Sequence, residues 1–208
     1  MIKNLTATRL ACSYFGKIIF EHISFELMKG EILLVQGDNG SGKSSLLRIL
    51  AGLSTPAFGN IFWQAESIHM HSWKYHEHLH YMSHQNGIKL GLSVVENIQL
   101  SKHLSLSPYA LAVDEVLQIL QLSIQRHTLA AYLSAGQKRR LALSKLFLFP
   151  KTLWILDEPL TALDMDFQAI FLDALETHLQ HGGMAILSSH HLLHFKKAKA
   201  KILRLASC

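Results

Sequence analysis

Long apolar runs are missing from this chain, and so is the cysteine that builds disulfide and zinc–thiolate frameworks. Its 208 residues include two cysteines, Cys12 and Cys208, placed near opposite ends with no Cys-x-x-Cys spacing. That argues against a disulfide scaffold and a cysteine zinc site, and it suits a reducing compartment. No window approaches the roughly eighteen uninterrupted apolar residues of a membrane span. The richest stretch, 141–156, is broken by Ser144, Lys145, Pro150, Lys151 and Thr152. Charge is sparse: 17% charged against 49% hydrophobic residues, the balance of a folded chain and not of a disordered one. There is no internal repeat and no low-complexity linker. Met1-Ile2-Lys3-Asn4 carries no signal-peptide pattern, so a cytosolic chain is expected. This length suits one domain, or one domain with a sizeable insertion.

What is present begins with Gly37-Asp38-Asn39-Gly40-Ser41-Gly42-Lys43-Ser44, between the apolar run Ile32-Leu33-Leu34-Val35 and the helix-like run Ser45–Leu50. A Gly-x-x-x-x-Gly-Lys-Ser string after a strand and before a helix is a phosphate-binding loop. Its glycines let successive N–H groups converge on phosphate oxygens, and the next helix aims its positive end at them. Lys43 would reach the β- and γ-phosphates and the Ser44 hydroxyl would bind Mg²⁺. The structural alternative is a Gly-rich turn.

Strands are expected at 5–14, 20–27, 31–36 and 60–64, with a turn at Gly16-Lys17 and Gly52 as the C-terminal cap of the helix after the loop. Segment 65–84 holds His69, His71, His76, His78, His80 and His84. Imidazole ligates metals and heme, but the spacing matches no zinc pattern, so a surface turn and strand that tolerate histidine is the expectation. Ser93-Val94-Val95-Glu96 is a capping box that opens a helix, and Ser107-Pro108 would start another. From 93 to 149 nearly everything reads as helical. Strand 152–156, a helix over about 165–180, strand 184–188, a further helix and a last strand, 201–205, follow. The formal charge of +5 is partly concentrated in Lys196, Lys197, Lys199, Lys201 and Arg204. Such a cluster suits anionic lipid or nucleic acid, but a solvated face is the expected reading.

Two further stretches carry chemistry. Thr152–Glu158 is an apolar strand ending in two acids, of which Asp157 would hold Mg²⁺ and Glu158 would orient or deprotonate the attacking water. In Leu133-Ser134-Ala135-Gly136-Gln137, Ser134 and Gln137 form a capping box for a helix running to Phe149. Gly136 in its first turn costs roughly 1 kcal/mol against Ala, so something wants a bare backbone there. An exposed helix start with Ser and Gly is a ready phosphate site. Two such starts and one γ-phosphate point to a dimer.

With these motifs, the chain resembles the ATP-binding subunits of ABC transporters over essentially its whole length. The resemblance implies an α/β fold: a P-loop NTPase core of ABC ATPase type with an N-terminal antiparallel β subdomain and a helical insertion. It implies a single domain over 1–208, with 1–84 and 150–208 as the core and about 86–149, including the signature helix, as the insertion. Walker A is 37–44, the Q-loop is at Gln85, the signature is 133–137, and the Walker B strand ends at Asp157 with Glu158 as the catalytic carboxylate. The D-loop is Ala162-Leu163-Asp164, and the switch histidine is His190 in Ser188-Ser189-His190. ATP would lie against Gly37, Asp38, Asn39, Gly40, Ser41, Gly42, Lys43, Ser44 and Ser45. Tyr14, sixteen positions before Gly30, would stack on adenine, with Phe15 as the fallback. Ala135 departs from the usual glycine of the signature; it is small, and Gly136 survives.

Gln85-Asn86-Gly87-Ile88-Lys89, Leu92–Asn97, Leu133–Arg140 and Thr152–Pro159 resemble, more narrowly, the heme-exporter ATP-binding subunits of cytochrome c maturation. That family is compact, without a C-terminal regulatory domain, as here. The resemblance implies a head-to-tail dimer in which ATP lies between Walker A of one subunit and Ser134, Ala135, Gly136 and Gln137 of the other. Ser44, Gln85 and Asp157 would arrange Mg²⁺, and His190 would hold the γ-phosphate. Integral membrane subunits of the heme-exporter type would be the partners, with no nucleic acid. They would hold the chain at the cytoplasmic face of the inner membrane. An ABC ATPase for another substrate, a soluble ABC protein acting on ribosomes or DNA, and a non-catalytic scaffold stay open as alternatives.

Overall fold

The computed structural model describes residues 5–70, 72–105, 111–189, 195 and 198–206. They divide into two units, the first comprising 1–81, 152–158 and 175–208 and the second 82–151 and 159–174.

The first unit holds two sheets. An antiparallel sheet is built from β1 (Leu5–Tyr14), β2 (Lys17–Leu27), β4 (Phe58–Trp63) and β5 (Glu66–Ser67), in the order β2-β1-β4-β5. The hairpin turn is Phe15-Gly16, not Gly16-Lys17 as expected, because both of its central residues take positive φ, 48° and 77°. A primed two-residue turn requires that, and it matches the twist of the strands it joins. Register shifts along β1 leave Arg9 with a φ of 49°.

The second sheet runs β6-β7-β8-β3-β9, from β3 (Glu31–Gln36), β6 (Leu79–Met82), β7 (Leu153–Asp157), β8 (Met184–Ser188) and β9 (Lys199–Arg204). β3 pairs in parallel with β8 and β9, and β7 with β8. All of β7 and β8 and four consecutive residues of β3 are buried. Strands apolar on both faces are what a covered parallel sheet demands. Helix α1 (Lys43–Leu50) packs on β7 and β8 and buries Leu46, Leu47, Ile49 and Leu50, each worth roughly 1.5–3 kcal/mol. Gly52, at φ 70°, closes α1 as expected: its N–H reaches Ile49 O and that of Leu53 reaches Arg48 O.

The histidine segment departs from the expected surface turn and strand. It contains helix α2 (Ser72–Glu77) and the edge strand β6, in which Leu79, His80 and Met82 are buried. The Tyr75 hydroxyl donates to Leu50 O at 2.6 Å, and His76 Nε2 lies 2.9 Å from Ala51 O. Both side chains thus meet backbone carbonyls that the end of α1 leaves without helical partners. Burial pushes the Tyr75 phenol far above its usual pKa. Lys201, counted in the basic tail, donates to Glu26 O and pairs with Glu31 inside this unit. Lys196 and Lys197 lie outside the described residues.

In the second unit, helices α3 (Val94–Ser105), α4 (Val113–Ile119) and α5 (Ala135–Leu148) pack against one another. Ser107-Pro108, expected to start a helix, lies outside the described residues; α4 begins at Val113. Residues 120–134 are mostly irregular, although nearly everything from 93 to 149 was expected to be helical. Their backbone is committed elsewhere: Val94 N–H goes to Thr128 O, Ala130 N–H to Leu92 O and Ala131 N–H to Leu90 O. Buried Asn97 adds amide bonds to Lys89 O, Leu92 O and Ser93 O. Helix α6 (Met165–Gln180) has residues in both units.

At the carboxyl end of α6, the His178 ring stacks on Trp154, with centroids 4.1 Å apart and planes 9° from parallel. Gly183 makes room for it, since a Cβ there would lie 2.2 Å from the ring. Burial holds the His178 pKa below its ordinary 6.5. The folded chain therefore disfavours the proton, so this contribution is complete above the unfolded value and is lost as pH falls through 6.5 toward the folded value. The thermal midpoint is expected to fall between pH 7 and pH 5 more steeply for the parent chain than for His178→Gln. Equal slopes in differential scanning fluorimetry would remove His178 from the acid response.

Candidate functional site

The carboxyl edge of the parallel sheet gathers the candidate residues of the first unit. Val35 lies opposite Ser188 in the pairing of β3 with β8, and Ser188 lies opposite Asp157 in the pairing of β8 with β7. Parallel strands leave the sheet on the same side, so the loop after Gln36, the pair Asp157-Glu158 and Ser189 share one edge. Such an edge is where open α/β sheets bind ligands.

The loop from Gly37 to Gly42 folds around its own lysine. Lys43 is buried, and its Nζ donates to Gly37 O at 2.8 Å and Asp38 O at 2.9 Å. Gly42, with φ at 93°, precedes α1 and offers no side-chain cap; a Cβ there would lie 2.6 Å from Ile19 Cγ2. No acid stands in the first turn of α1. Its leading N–H groups thus meet neither a capping side chain nor a competing carboxylate. Ser41 Oγ is buried without a hydrogen-bond partner. An orphaned hydroxyl, a tethered ammonium and an uncapped helix start fit an anionic phosphate group. Asp38, Asn39, Gly40 and Ser44 are exposed around that start, and Ser45 is half-buried.

Asp157 ends β7 with 2% exposure, and its Oδ1 accepts a 2.6 Å bond from the Ser188 hydroxyl. Glu158 follows at φ 47°, half-buried, and its N–H donates to the same Ser188 oxygen at 2.8 Å. A hard-oxygen donor set of Asp157 and Ser44 suits Mg²⁺, which takes few protein carboxylates and keeps its phosphate ligands. Tyr81, partly buried in the neighbouring β6, has its phenol pKa raised by burial and then by the Asp157 charge, with Arg48 opposing. His190 lies outside the described residues. Tyr14 is 68% exposed at the tip of β1, and its ring meets Phe15 edge-on at 4.5 Å.

The second unit carries Gln85, Ser134–Gln137 and Asp164. The capping box at 134 is formed: Gln137 N–H donates to Ser134 Oγ at 3.2 Å, and Ser134 N–H to Gln137 Oε1 at 2.9 Å. Ala135 is exposed in the first turn. The bare backbone at Gly136 has a reason within the chain, because a Cβ there would lie 2.8 Å from Ala162 O. Asp164 serves as a cap in its turn, with Oδ1 accepting from Phe167 N–H at 2.9 Å and Oδ2 pairing with Arg140. Phe167 N–H first, and the Arg140 charge after it, hold the Asp164 carboxyl below its usual pKa. Gln85 is exposed, and its carbonyl accepts from Ser83 Oγ at 2.9 Å.

Two residues escaped the sequence reading. Ser188 was noted only as a neighbour of His190, and its position at the end of an apolar strand beside another strand ending in Asp was the available signal. Arg139 is a buried residue of α5, donating to Pro159 O, Ser83 O and His84 O at 3.3 Å and to Asn86 Oδ1 at 3.2 Å. No local pattern marks it, since every acceptor comes from a distant segment.

The profile of a family described as ABC transporter matches residues 20–161. A Methylococcus capsulatus protein named cytochrome c biogenesis ATP-binding export protein CcmA is 43% identical over 191 residues, 91% of this chain and 92% of that one. The Vibrio cholerae protein of the same name is 39% identical, over 98% and 97% of the two chains. Among solved structures, an ATP-binding subunit of an ABC transporter superposes with a TM-score of 0.81 at 24% identity, covering 91% of this chain and 80% of that chain. A dimeric ATP-binding cassette in a post-hydrolysis state, bound to ADP and Pi, gives 0.79 at 18% identity over 90% and 88%.

The Arg139 clamp makes a direct prediction. Arg139→Ala is expected to destabilise the second unit by roughly 2 kcal/mol, since charged hydrogen bonds and their buried acceptors are lost together. Amide hydrogen exchange at residues 83–87 should accelerate with it. Unchanged exchange there would show that the segment is held by other contacts.

Proposed function

The chain belongs to the ABC transporter family, and from that premise we propose that it is the ATP-hydrolysing subunit of the exporter that serves cytochrome c biogenesis, with heme as the cargo. The observation that carries this reading is the near full-length similarity to the two export proteins of that name, together with an intact phosphate loop and strand-end acid pair. The soluble and scaffold alternatives lose ground on the same observation.

In this reading Gly37–Ser45 hold the ATP phosphates, the loop amides and Lys43 meeting the β- and γ-oxygens, and Tyr14 lies against the adenine. Ser44 and Asp157 would hold Mg²⁺, which would supply positive charge to offset that of the phosphates. Glu158 accepts a proton from, or orients, the attacking water. Ser134 and Gly136 of a second copy complete the phosphate contacts from their exposed helix start. His190 is assigned to the γ-phosphate by resemblance. The residues thus act by positioning and charge stabilisation.

Closure and reopening of the dimer would be the output, delivered to membrane-spanning partner chains. No described helix here is long and apolar enough to cross a membrane. Placement at the cytoplasmic face of the inner membrane therefore falls to those partners. Leu90, 52% exposed ahead of α3, with half-buried Leu92 beside it, is the apolar surface we assign to them.

Two measurements test the reading. Glu158→Gln is expected to bind ATP with parent affinity and to hydrolyse it at least about 100-fold more slowly, the usual scale of a lost general base. A dimer should then accumulate in ATP on size-exclusion chromatography, and near-parent turnover would remove Glu158 from the role. The double variant Leu90→Ser, Leu92→Ser should keep ATP binding, lose co-purification with the membrane chains and stop cytochrome c maturation. Normal maturation with the stable double variant would place the docking surface elsewhere.

A further inference from the structure

Ser188 is the last residue of β8, fully buried, and directly opposite Asp157 in the parallel register. Its hydroxyl works in two directions at once. It donates to Asp157 Oδ1 at 2.6 Å and accepts the Glu158 N–H at 2.8 Å. A hydroxyl has one proton, so donation to the carboxylate sets its rotor and leaves lone-pair capacity for the amide. The carboxylate bond is short, as bonds to an ionised acceptor are.

The geometry explains why a side chain is needed here. β7 ends at Asp157, and the positive φ of Glu158 turns the backbone out of the ladder. Its N–H can no longer continue the strand pairing, and the neighbouring side chain takes it instead. The same contact restrains rotation of the Asp157 carboxylate about Cβ–Cγ. One atom therefore orients the carboxylate and anchors the backbone of the next residue.

We propose that Ser188 is a positioning residue for metal-dependent ATP hydrolysis, whose single hydroxyl aligns the Asp157 carboxylate and the Glu158 backbone together. The inference rests on the roles given above to those two acids. Ser188 touches neither the metal nor the nucleotide; it acts through its neighbours. Partners that orient metal-ligating carboxylates commonly change metal affinity when removed.

The test uses the full chain and two readouts: Mn²⁺ affinity of the ATP-loaded protein by electron paramagnetic resonance, and the Mg²⁺ concentration giving half-maximal ATPase rate. Ser188→Ala should bind ATP in EDTA like the parent. It should weaken Mn²⁺ binding and raise the Mg²⁺ requirement by roughly 10–100-fold. Ser188→Thr, which keeps the hydroxyl, should restore both. Asp157→Asn and Glu158→Gln separate this inference from the reading beneath it. Asp157→Asn should lose metal affinity, and Glu158→Gln should lose turnover with metal affinity kept. If Asp157→Asn weakens Mn²⁺ binding and Ser188→Ala does not, the role of Ser188 is overturned and that of Asp157 stands. If Asp157→Asn leaves Mn²⁺ binding unchanged, both fall. A threonine variant as deficient as alanine, with the parent's metal-free thermal midpoint, also overturns the proposal. Should the alanine chain fail to fold, Ser188→Cys is expected to show the same loss, and parent metal affinity in that variant would overturn the idea equally.

Discussion

The chemistry of the first unit depends on one sheet register. Val35, Ser188 and Asp157 stand in a single row across β3, β8 and β7, and their shared strand direction sends every following residue to the same edge. A slip of β8 by one residue would set Leu187 where Ser188 stands and break both bonds of its hydroxyl. Burial prevents that slip. β7 and β8 are apolar until their last positions, so a displaced register would carry Asp157 or Ser188 into the covered interior of the sheet. The hydrophobic pattern that makes the sheet is therefore also what places its polar ends.

Polar side chains organise the second unit, because much of its backbone is not in regular structure. Asn97 gathers carbonyls around the start of α3, the boxes at Ser93 and Ser134 close two helices, and Asp164 caps α6. Arg139 performs the largest of these tasks. A guanidinium is costly to bury unless its donors are matched, and here Ser83, His84, Asn86 and Pro159 match them. The segment holding Gln85, the signature helix and the chain after Glu158 are thereby tied to one side chain.

Two of the described non-glycine residues with positive φ follow β7. Glu158 at φ 47° and Ala162 at φ 64° bracket the connection toward α6, and neither is glycine. Such positions persist only when their surroundings hold them, and they collect at functional sites. Ser188 holds the first through the Glu158 amide. Gly136 makes room for the carbonyl of the second, so the glycine of the signature has a steric reason beside any phosphate contact. Phe15, 94% exposed beside Tyr14, holds another left-handed position, at the hairpin turn.

The α/β class, the glycine loop that opens α1 and much of the order of strands and helices were legible in the chain, because each rests on local chemistry. Glycine spacing makes the loop, period and apolar runs make the elements, and Ser134 with Gln137 writes its own helix start within four residues. Strand 184–188 and helix 165–180 have the expected bounds for that reason. The elements misread were those whose neighbours decide them. The histidine segment became a helix and a largely buried edge strand because Tyr75 and His76 complete the end of α1, and 120–134 are mostly irregular because their backbone groups pair with residues 90–95. The tertiary structure alone brought Ser188 to Asp157, thirty-one residues apart, and Arg139 to carbonyls fifty-six and fifty-five residues away. A hydroxyl or a guanidinium has no partner written beside it in the sequence; the fold chooses one by bringing distant backbone to within hydrogen-bond reach.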